Sequence, residues 1–194
     1  ILHLYFCSQM SNPFKNIQGE VCWRSPSNIA LVKYWGKYGN QLPRNASISF
    51  TLNNAYSEMS VKYQPKASDN KKIELKFYFE EKENPKFEAK IQSFLESIVV
   101  YFPFLQYFSL EIHSHNSFPH STGIASSASS MSALALCLVD IENALDGGLR
   151  PHEFFEKASK IARLGSGSAC RSVFPYLAVW GKHPQIPLSS NEYA

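Results

Sequence analysis

Apolar and polar residues alternate over several short stretches of this chain, and elsewhere apolar residues recur every third or fourth position. Residues 21–25, 47–52 and 58–63 read as half-buried strands. Ile73, Leu75, Phe77 and Phe79 alternate with Glu74, Lys76 and Tyr78, which predicts a further strand after a polar turn over 65–72. Phe87, Ile91, Phe94, Leu95, Ile98, Val99 and Phe102 recur at helical spacing, and Pro103 is expected to end that helix. Residues 108–115 read as a strand leading toward a Ser-rich loop. Residues 127–145 are apolar almost all round, as a buried helix should be, and Gly147 and Gly148 stop it. A shorter helix is expected from Pro151, with Phe154, Phe155, Ala158, Ile161 and Ala162 on one face. A last strand is expected over 173–180. Strands first and helices later, without strand–helix alternation, predict an α+β layer fold.

Composition narrows this picture. A chain of 194 residues, 44% hydrophobic and 14% aromatic, suits one domain with a real core. The net charge of +3 permits a local pocket for anions but gives little support to nucleic-acid binding, which needs a basic stripe. Cys7, Cys22, Cys137 and Cys170 are widely spaced, so thiols are expected rather than disulfides, which suits a reducing cytoplasm. No apolar run reaches the roughly 18 residues of a membrane span, so no membrane partner is expected. Residues 1–9 lack a basic segment and a cleavage site, and the natural start is expected at Met10. The aromatic residues Tyr101, Phe102, Phe104, Tyr107 and Phe108 are expected in the core.

Three segments carry candidate chemistry. The first, residues 27–37, has the sequence SNIALVKYWGK and places Lys33, Tyr34 and Lys37 within five positions. Lys33 and Lys37 are close enough to share an anion, although alone they also fit a surface hairpin with solvated lysines. The second, residues 119–128, reads PHSTGIASSA and runs into the long apolar helix. Its unpaired backbone N–H groups and helix dipole favour anions, although a serine there is also a common helix cap. The third, residues 165–171, reads GSGSACR and offers Ser166, Ser168 and a guanidinium that can meet a carboxylate or phosphate bidentately. Read alone, it also fits a linker closed by a surface arginine. His113 and His115 share a strand face near His120, but no further metal ligand is adjacent.

All three segments resemble the GHMP kinase superfamily and, within it, the diphosphomevalonate decarboxylases. The middle loop is similar to the superfamily's ATP loop, with Ile124 in a leucine position. The strings KYWGK and GSGSACRS are narrower and point to the decarboxylases. The resemblance runs from about residue 20 to 180 and includes 43–49, and it departs where Pro175 and Tyr176 stand in place of a glycine pair. It implies the ribosomal-S5-domain-2-like N-terminal domain of the GHMP kinase fold over 20–194, with 1–19 as an extension and a C-terminal domain missing.

The same resemblance implies the chemistry. ATP and Mg²⁺ would be cofactors, held by Pro119, Ser121, Gly123, Ile124, Ala125, Ser126 and Ser127, with Ser127 on the metal. The substrate mevalonate 5-diphosphate would meet Asn28, Tyr34, Lys37, Ser166 and Ser168. Lys33 would lie near the transferred phosphate and Arg171 on the substrate carboxylate. The implied reaction is ATP-dependent decarboxylation to isopentenyl diphosphate by a full-length homodimer. The family's aspartate belongs to the second domain, and none of Asp69, Asp140 and Asp146 lies in a motif here. The chain alone is therefore expected to be inactive. The alternatives are a related enzyme acting on mevalonate or its monophosphate, and a non-catalytic S5-like binding module.

Overall fold

The computed structural model describes residues 12–119 and 126–194. Strands β1 (Gly19–Val32), β4 (Ser47–Pro65), β7 (Phe108–Asn116), β5 (Glu74–Phe79) and β6 (Lys82–Glu83) lie in that order in one sheet, and β8 (Leu177–Trp180) pairs with β4. Strands β2 (Lys37–Tyr38) and β3 (Leu42–Pro43) form a separate hairpin. Helices α1 (Pro85–Ile98), α2 (Ser126–Asp146) and α3 (Pro151–Gly165) and the short α4 (Ala169–Ser172) complete the fold.

The sheet obeys its two-residue period. Met59, Val61 and Tyr63 of β4, with Leu110 and Ile112 of β7 and Phe77 of β5, are buried in the core with α2. Burying each such side chain contributes about 1.5–3 kcal/mol. The opposite face forms cross-strand rows of polar groups, including Glu20–Lys62–Glu111–Lys76 and Arg24–Glu58–His115. Rows of alternating sign stabilise an open sheet face.

Helix α2 is buried over most of its middle, from Ser132 to Val139. It is long and apolar enough to cross a membrane by length and composition, which corrects the expectation that no stretch is. Serines near its start and Asp140, Glu142 and Asn143 near its end interrupt any continuous hydrophobic run in the sequence, and here the helix is mostly buried inside the fold. Gly147 and Gly148 follow it at φ 71° and 88°, the left-handed backbone that ends helices. Pro151 opens α3, and the Glu153 carboxylate accepts from the Arg150 N–H at 3.0 Å.

The structure corrects four other expectations. The stretches 47–52 and 58–63 are one strand, because β4 absorbs a bulge: Pro26 pairs with Tyr56 and the next residue, Ser27, pairs with Leu52. The polar Asn53 and Asn54 within the bulge look like a break in the sequence. Strand–helix alternation does occur, since β5 and β7 are parallel and α1 lies between them in the chain. Pro103 opens a short 3-10 turn, Pro103–Gln106, five residues after α1 has ended at Ile98. The final strand begins only at Leu177, because residues 169–172 close a helical turn.

Part of the expected N-terminal extension is tied down. Phe14 stacks on Phe108 with ring centroids 5.2 Å apart, and the Asn12 amide donates to the Tyr107 carbonyl at 3.0 Å. Phe102, Phe104 and Phe108 are core residues, as their setting predicts, and Tyr107 packs partly buried against them, whereas Tyr101 is exposed, contrary to expectation.

Candidate functional site

Strand β1 leaves the sheet at Val32 and enters the loop 33–36. Asn45 holds that loop from the side. Its Oδ1 accepts from the Trp35 N–H at 2.6 Å, and its Nδ2 donates to the carbonyls of Lys33 at 3.1 Å and Ala46 at 2.8 Å. Gly36 turns the chain at φ 87° into the β2–β3 hairpin. Arg163 of α3, 2% exposed, anchors the hairpin tip by donating to the Asn40 carbonyl, and it also binds Glu192. A short surface hairpin, the plainer reading of this segment, is present and is fixed in place.

The hairpin brings Lys37 against the turn between α3 and α4. A Cβ on Gly167 would lie 3.2 Å from Lys37 Cδ, 3.3 Å from its Nζ and 3.0 Å from the Trp180 ring. Lys37 also donates to Gln41 and sits 5.9 Å from the centre of the Tyr34 ring. Tyr34 meets Trp180 edge-on at 4.9 Å.

Arg171 completes the cluster. Its guanidinium lies 5.8 Å from the Tyr34 ring centre and 5.9 Å from that of Trp180. Nη1 donates to Ser47 Oγ at 2.6 Å, and buried Nε has no hydrogen-bond partner. Arg171 is 2% exposed, and among the described residues no carboxylate forms an ion pair with it. Burial pushes its pKa down, opposed by Cys170 and Tyr34, but an arginine stays charged in any case. A buried cation without a counter-ion is costly.

Ser166 and Ser168 lie half-buried in the same turn. Asn28 supports it from behind: its buried Nδ2 donates to the Ser168 carbonyl at 3.3 Å and to Ser172 Oγ at 2.6 Å. Both amide hydrogens are thus used inside the protein, which leaves only Oδ1 for the substrate role the resemblance implies. Lys33 is exposed on the loop.

A second set of groups lies at the start of α2. Ser126, Ser127 and Ser130 line a cavity of about 270 Å³ with Phe77, Phe87 and Met131. The first turn of α2 holds no acidic side chain. Behind it, Ser57 Oγ lies 2.7 Å from both Asn116 Oδ1 and Ser129 Oγ, and Ser130 Oγ donates to Ser57 Oγ at 3.1 Å. This buried network ties the helix start to β4 and β7. Pro119 precedes the loop, whereas Ser121, Gly123, Ile124 and Ala125 lie outside the described residues.

The structure brings Tyr34, Lys37 and Arg171 together around Gly167 and adds three residues that sequence reasoning did not assign. Ser47 and Trp180 position Arg171, and Asn45 fixes the lysine loop. Ser47 and Asn45 stand in the string 43–49 that carries the resemblance, which was the available signal. The remaining candidates have other work. Asp140 accepts from the Trp23 indole at 2.9 Å, and His113 and His115 pair with Glu111 and Glu80. His120 lies outside the described residues.

The mixed sheet with its helices is the α+β N-terminal domain fold of GHMP kinases. Residues 25–191 match the diphosphomevalonate decarboxylase-like N-terminal domain, and the chain belongs to that family. A diphosphomevalonate decarboxylase of Debaryomyces hansenii is 35% identical over 167 residues, covering 80% of this chain and 41% of that protein. One from Candida albicans is 35% identical over 169 residues, with 80% and 43% covered. The mevalonate diphosphate decarboxylase from Enterococcus faecalis superposes with a TM-score of 0.70 at 31% identity, over 92% of this chain and 50% of that one. A solved structure described as MDDEF in complex with MVAPP, AMPPCP and magnesium gives 0.70 at 32% identity, over 91% and 49%. The chain thus spans about two-fifths to half the length of these relatives.

Proposed function

We propose that this chain is the nucleotide- and substrate-binding part of an enzyme that decarboxylates mevalonate 5-diphosphate to isopentenyl diphosphate with ATP and Mg²⁺. The observation that carries this reading is Arg171: a buried guanidinium, fixed by Ser47 and without a carboxylate partner, set beside Tyr34 and Lys37. A substrate with a carboxylate at one end and a diphosphate at the other fits such a pocket. Arg171 would take the carboxylate, and Tyr34, Lys37, Ser166 and Ser168 the diphosphate.

The start of α2 suits MgATP on the chemistry of its donors. Ser126 and Ser127 present hard oxygen ligands at a helix N-terminus, where phosphate oxygens are favoured. Ser127 is assigned to the metal and Lys33 to the transferred phosphate. When bound, MgATP supplies the phosphoryl group that turns the substrate's tertiary hydroxyl into a leaving group. Lys33 and Arg171 neutralise charge and orient the substrate, which is most of what phosphoryl transfer asks of a protein.

One group is not supplied by the described residues. Asp140 is engaged with Trp23, and Asp69 and Asp146 are exposed and form none of the hydrogen bonds or contacts that build the site. The carboxylate that takes or orients the hydroxyl proton is assigned to a second domain. The complete protein is read as a cytoplasmic homodimer.

The test is MgATP-dependent CO₂ release from mevalonate 5-diphosphate, measured on the chain alone and on the chain fused to the remaining half of the Debaryomyces hansenii relative. The expected result is release only by the fusion, and loss of at least a hundredfold in kcat/KM in the fusion carrying Ser127→Ala. Release by the chain alone would overturn the assignment of the carboxylate. A fusion that binds MgATP and the diphosphate but releases no CO₂ would overturn the reaction.

A further inference from the structure

Strand β4 buries Met59, Val61 and Tyr63 on one face, and the same two-residue period puts Ser57 in the next place. A hydroxyl stands where the pattern calls for an apolar group, and it is wholly buried. Burying a hydroxyl is costly unless its hydrogen bonds are made. Here they are made on both sides. The Ser57 proton goes to Asn116 Oδ1 at 2.7 Å, because an amide oxygen can only accept. The Ser57 oxygen accepts from Ser130 Oγ at 3.1 Å and lies 2.7 Å from Ser129 Oγ. Ser129 Oγ is also placed to donate to the Ser126 carbonyl at 3.1 Å.

Asn116 carries the network across β7 to the turn between β5 and β6. Its N–H donates to Glu80 Oε1 at 3.0 Å. Glu80 and Glu81 both lie in the left-handed region, at φ 50° and 61°, which is unfavourable for residues with side chains. The turn is held in that form from several sides. The Glu80 N–H donates to the Ser114 carbonyl at 3.0 Å, the other carboxylate oxygen of Glu80 pairs with His115, and Glu81 lies 3.5 Å from His113. Strained residues persist where their surroundings over-determine them. A continuous path of hydrogen bonds thus runs from Glu80 through Asn116, Ser57 and Ser129 to the first residue of α2.

Both ends of this path belong to elements that line one cavity. Phe77 and Phe79 of β5 and Phe87 of α1 line it with Ser126, Ser127 and Met131 of α2, and Asn116 lines it as well. At the α2 end, a bond to the Ser126 carbonyl fixes the plane of the peptide between Ser126 and Ser127. A peptide is planar and trans, so the Ser127 N–H is aimed by the same contact. That N–H is one of the donors a helix start leaves unpaired.

We propose that Ser57 and Glu80 are positioning residues of the nucleotide site. Through Asn116 and Ser129 they set the first turn of α2 against the β5–β6 turn, and so aim the Ser127 N–H at a bound phosphate. The inference rests on the MgATP reading given under Proposed function and adds which residues outside the loop set its geometry. Ser57 both gives and receives a hydrogen bond. Threonine can therefore replace it, whereas valine, of the same shape, cannot.

The test measures calorimetric binding of MgATP and, separately, of mevalonate 5-diphosphate to the chain and to Ser57→Ala, Ser57→Thr, Ser57→Val and Glu80→Ala. Thermal melting checks that each is folded, and Glu80→Ala, in an exposed turn, keeps the test decisive if a buried substitution prevents folding. MgATP binding is expected to weaken about tenfold in Ser57→Ala, the scale of one buried hydrogen bond. Ser57→Val should match it, Ser57→Thr should restore most of the affinity, and Glu80→Ala should weaken MgATP in the same direction. Affinity for mevalonate 5-diphosphate should not change in any of them. Amide hydrogen exchange without ligand should be faster over residues 130–133 of Ser57→Ala. Unchanged MgATP affinity in Ser57→Ala or in Glu80→Ala, unchanged exchange in Ser57→Ala, or equal loss of both ligands would overturn the proposal. Equal affinities in Ser57→Thr and Ser57→Val would overturn it too, since the hydroxyl would then play no part. Folded wild type that binds no MgATP would instead remove the nucleotide reading, and this inference with it.

Discussion

Arg171 Nη1 donates to Ser47 Oγ at 2.6 Å across 124 residues of sequence, joining the last motif of the chain to the first residue of β4. Ser47 Oγ in turn donates to the Trp180 carbonyl at 3.2 Å. The guanidinium is thereby held by a hydroxyl whose own direction is fixed. Ser47→Ala leaves Nη1 without its acceptor in a buried setting. A loss of about 1–3 kcal/mol in stability is expected, together with weaker binding of mevalonate 5-diphosphate. Urea unfolding and calorimetry on the same samples measure both. A variant of unchanged stability and affinity would remove Ser47 from the site.

Gly167 is small because Trp180 and Lys37 leave no room for a side chain there. Trp180 is fully buried and cannot yield, whereas the far end of Lys37 can. Gly167→Ala is therefore expected to push the Lys37 ammonium out of the cluster. The expected cost is about 1 kcal/mol of stability, at the low end for overpacking, with a several-fold loss of diphosphate affinity. Affinity equal to that of the wild type would mean that Lys37 does not contact the ligand.

Tyr176 occupies the left-handed region at φ 63°, the backbone that favours glycine. A tyrosine there adds strain. The Thr51 N–H donates to the Tyr176 carbonyl at 2.9 Å and holds the conformation, and the side chain is 78% exposed, so little packing offsets the strain. Tyr176→Gly is expected to raise stability by about 1 kcal/mol, the scale of a left-handed backbone penalty. Thermal melting measures this, and a lower melting temperature would show that the tyrosine stabilises the turn.

Glu80 sits at φ 50° in the turn between β5 and β6 and accepts from the Asn116 N–H at 3.0 Å and pairs with His115. Burial raises its pKa, but these two partners outweigh it and hold the carboxyl below the usual range. Its contribution is therefore present above the unfolded pKa and lost as pH falls through the lower folded value. The stability deficit of Glu80→Gln should be largest near pH 6 and shrink toward pH 3. Urea titrations at the two values check this, and a deficit that stays constant would contradict it.

Much of the fold was legible because periodicity reports burial. The helices at 85–98, 126–146 and 151–165 and the strands at 74–79 and 108–116 follow from apolar spacing and from Pro and Gly positions. The continuity of β4 was not legible, because a bulge rich in asparagine looks like a loop in sequence. The parallel pairing of β5 with β7 was hidden for a different reason: alternation gives a strand's face but not its neighbour. In the site, residue types in local strings pointed to Tyr34, Lys37 and Arg171. Ser47 and Asn45 lay in the string 43–49, but that string did not say what they hold: Ser47 meets Arg171 across 124 residues, and Asn45 closes a loop 10 to 12 residues before it. Asn28 shows the converse, a residue marked by its motif whose amide turns out to brace Ser168 and Ser172.

The central claim is that Arg171, with Lys37 and Tyr34, forms a site built for a substrate with two anionic groups, a carboxylate and a diphosphate. Calorimetric titration of mevalonate 5-diphosphate into the wild-type chain and into Arg171→Lys tests it most directly, because lysine keeps the charge and loses the planar fork. Saturable one-to-one binding by the wild type is predicted, weakened at least tenfold in Arg171→Lys, a change of about 1.4 kcal/mol. Equal affinity in the two proteins, or no binding by folded wild type, would contradict the account.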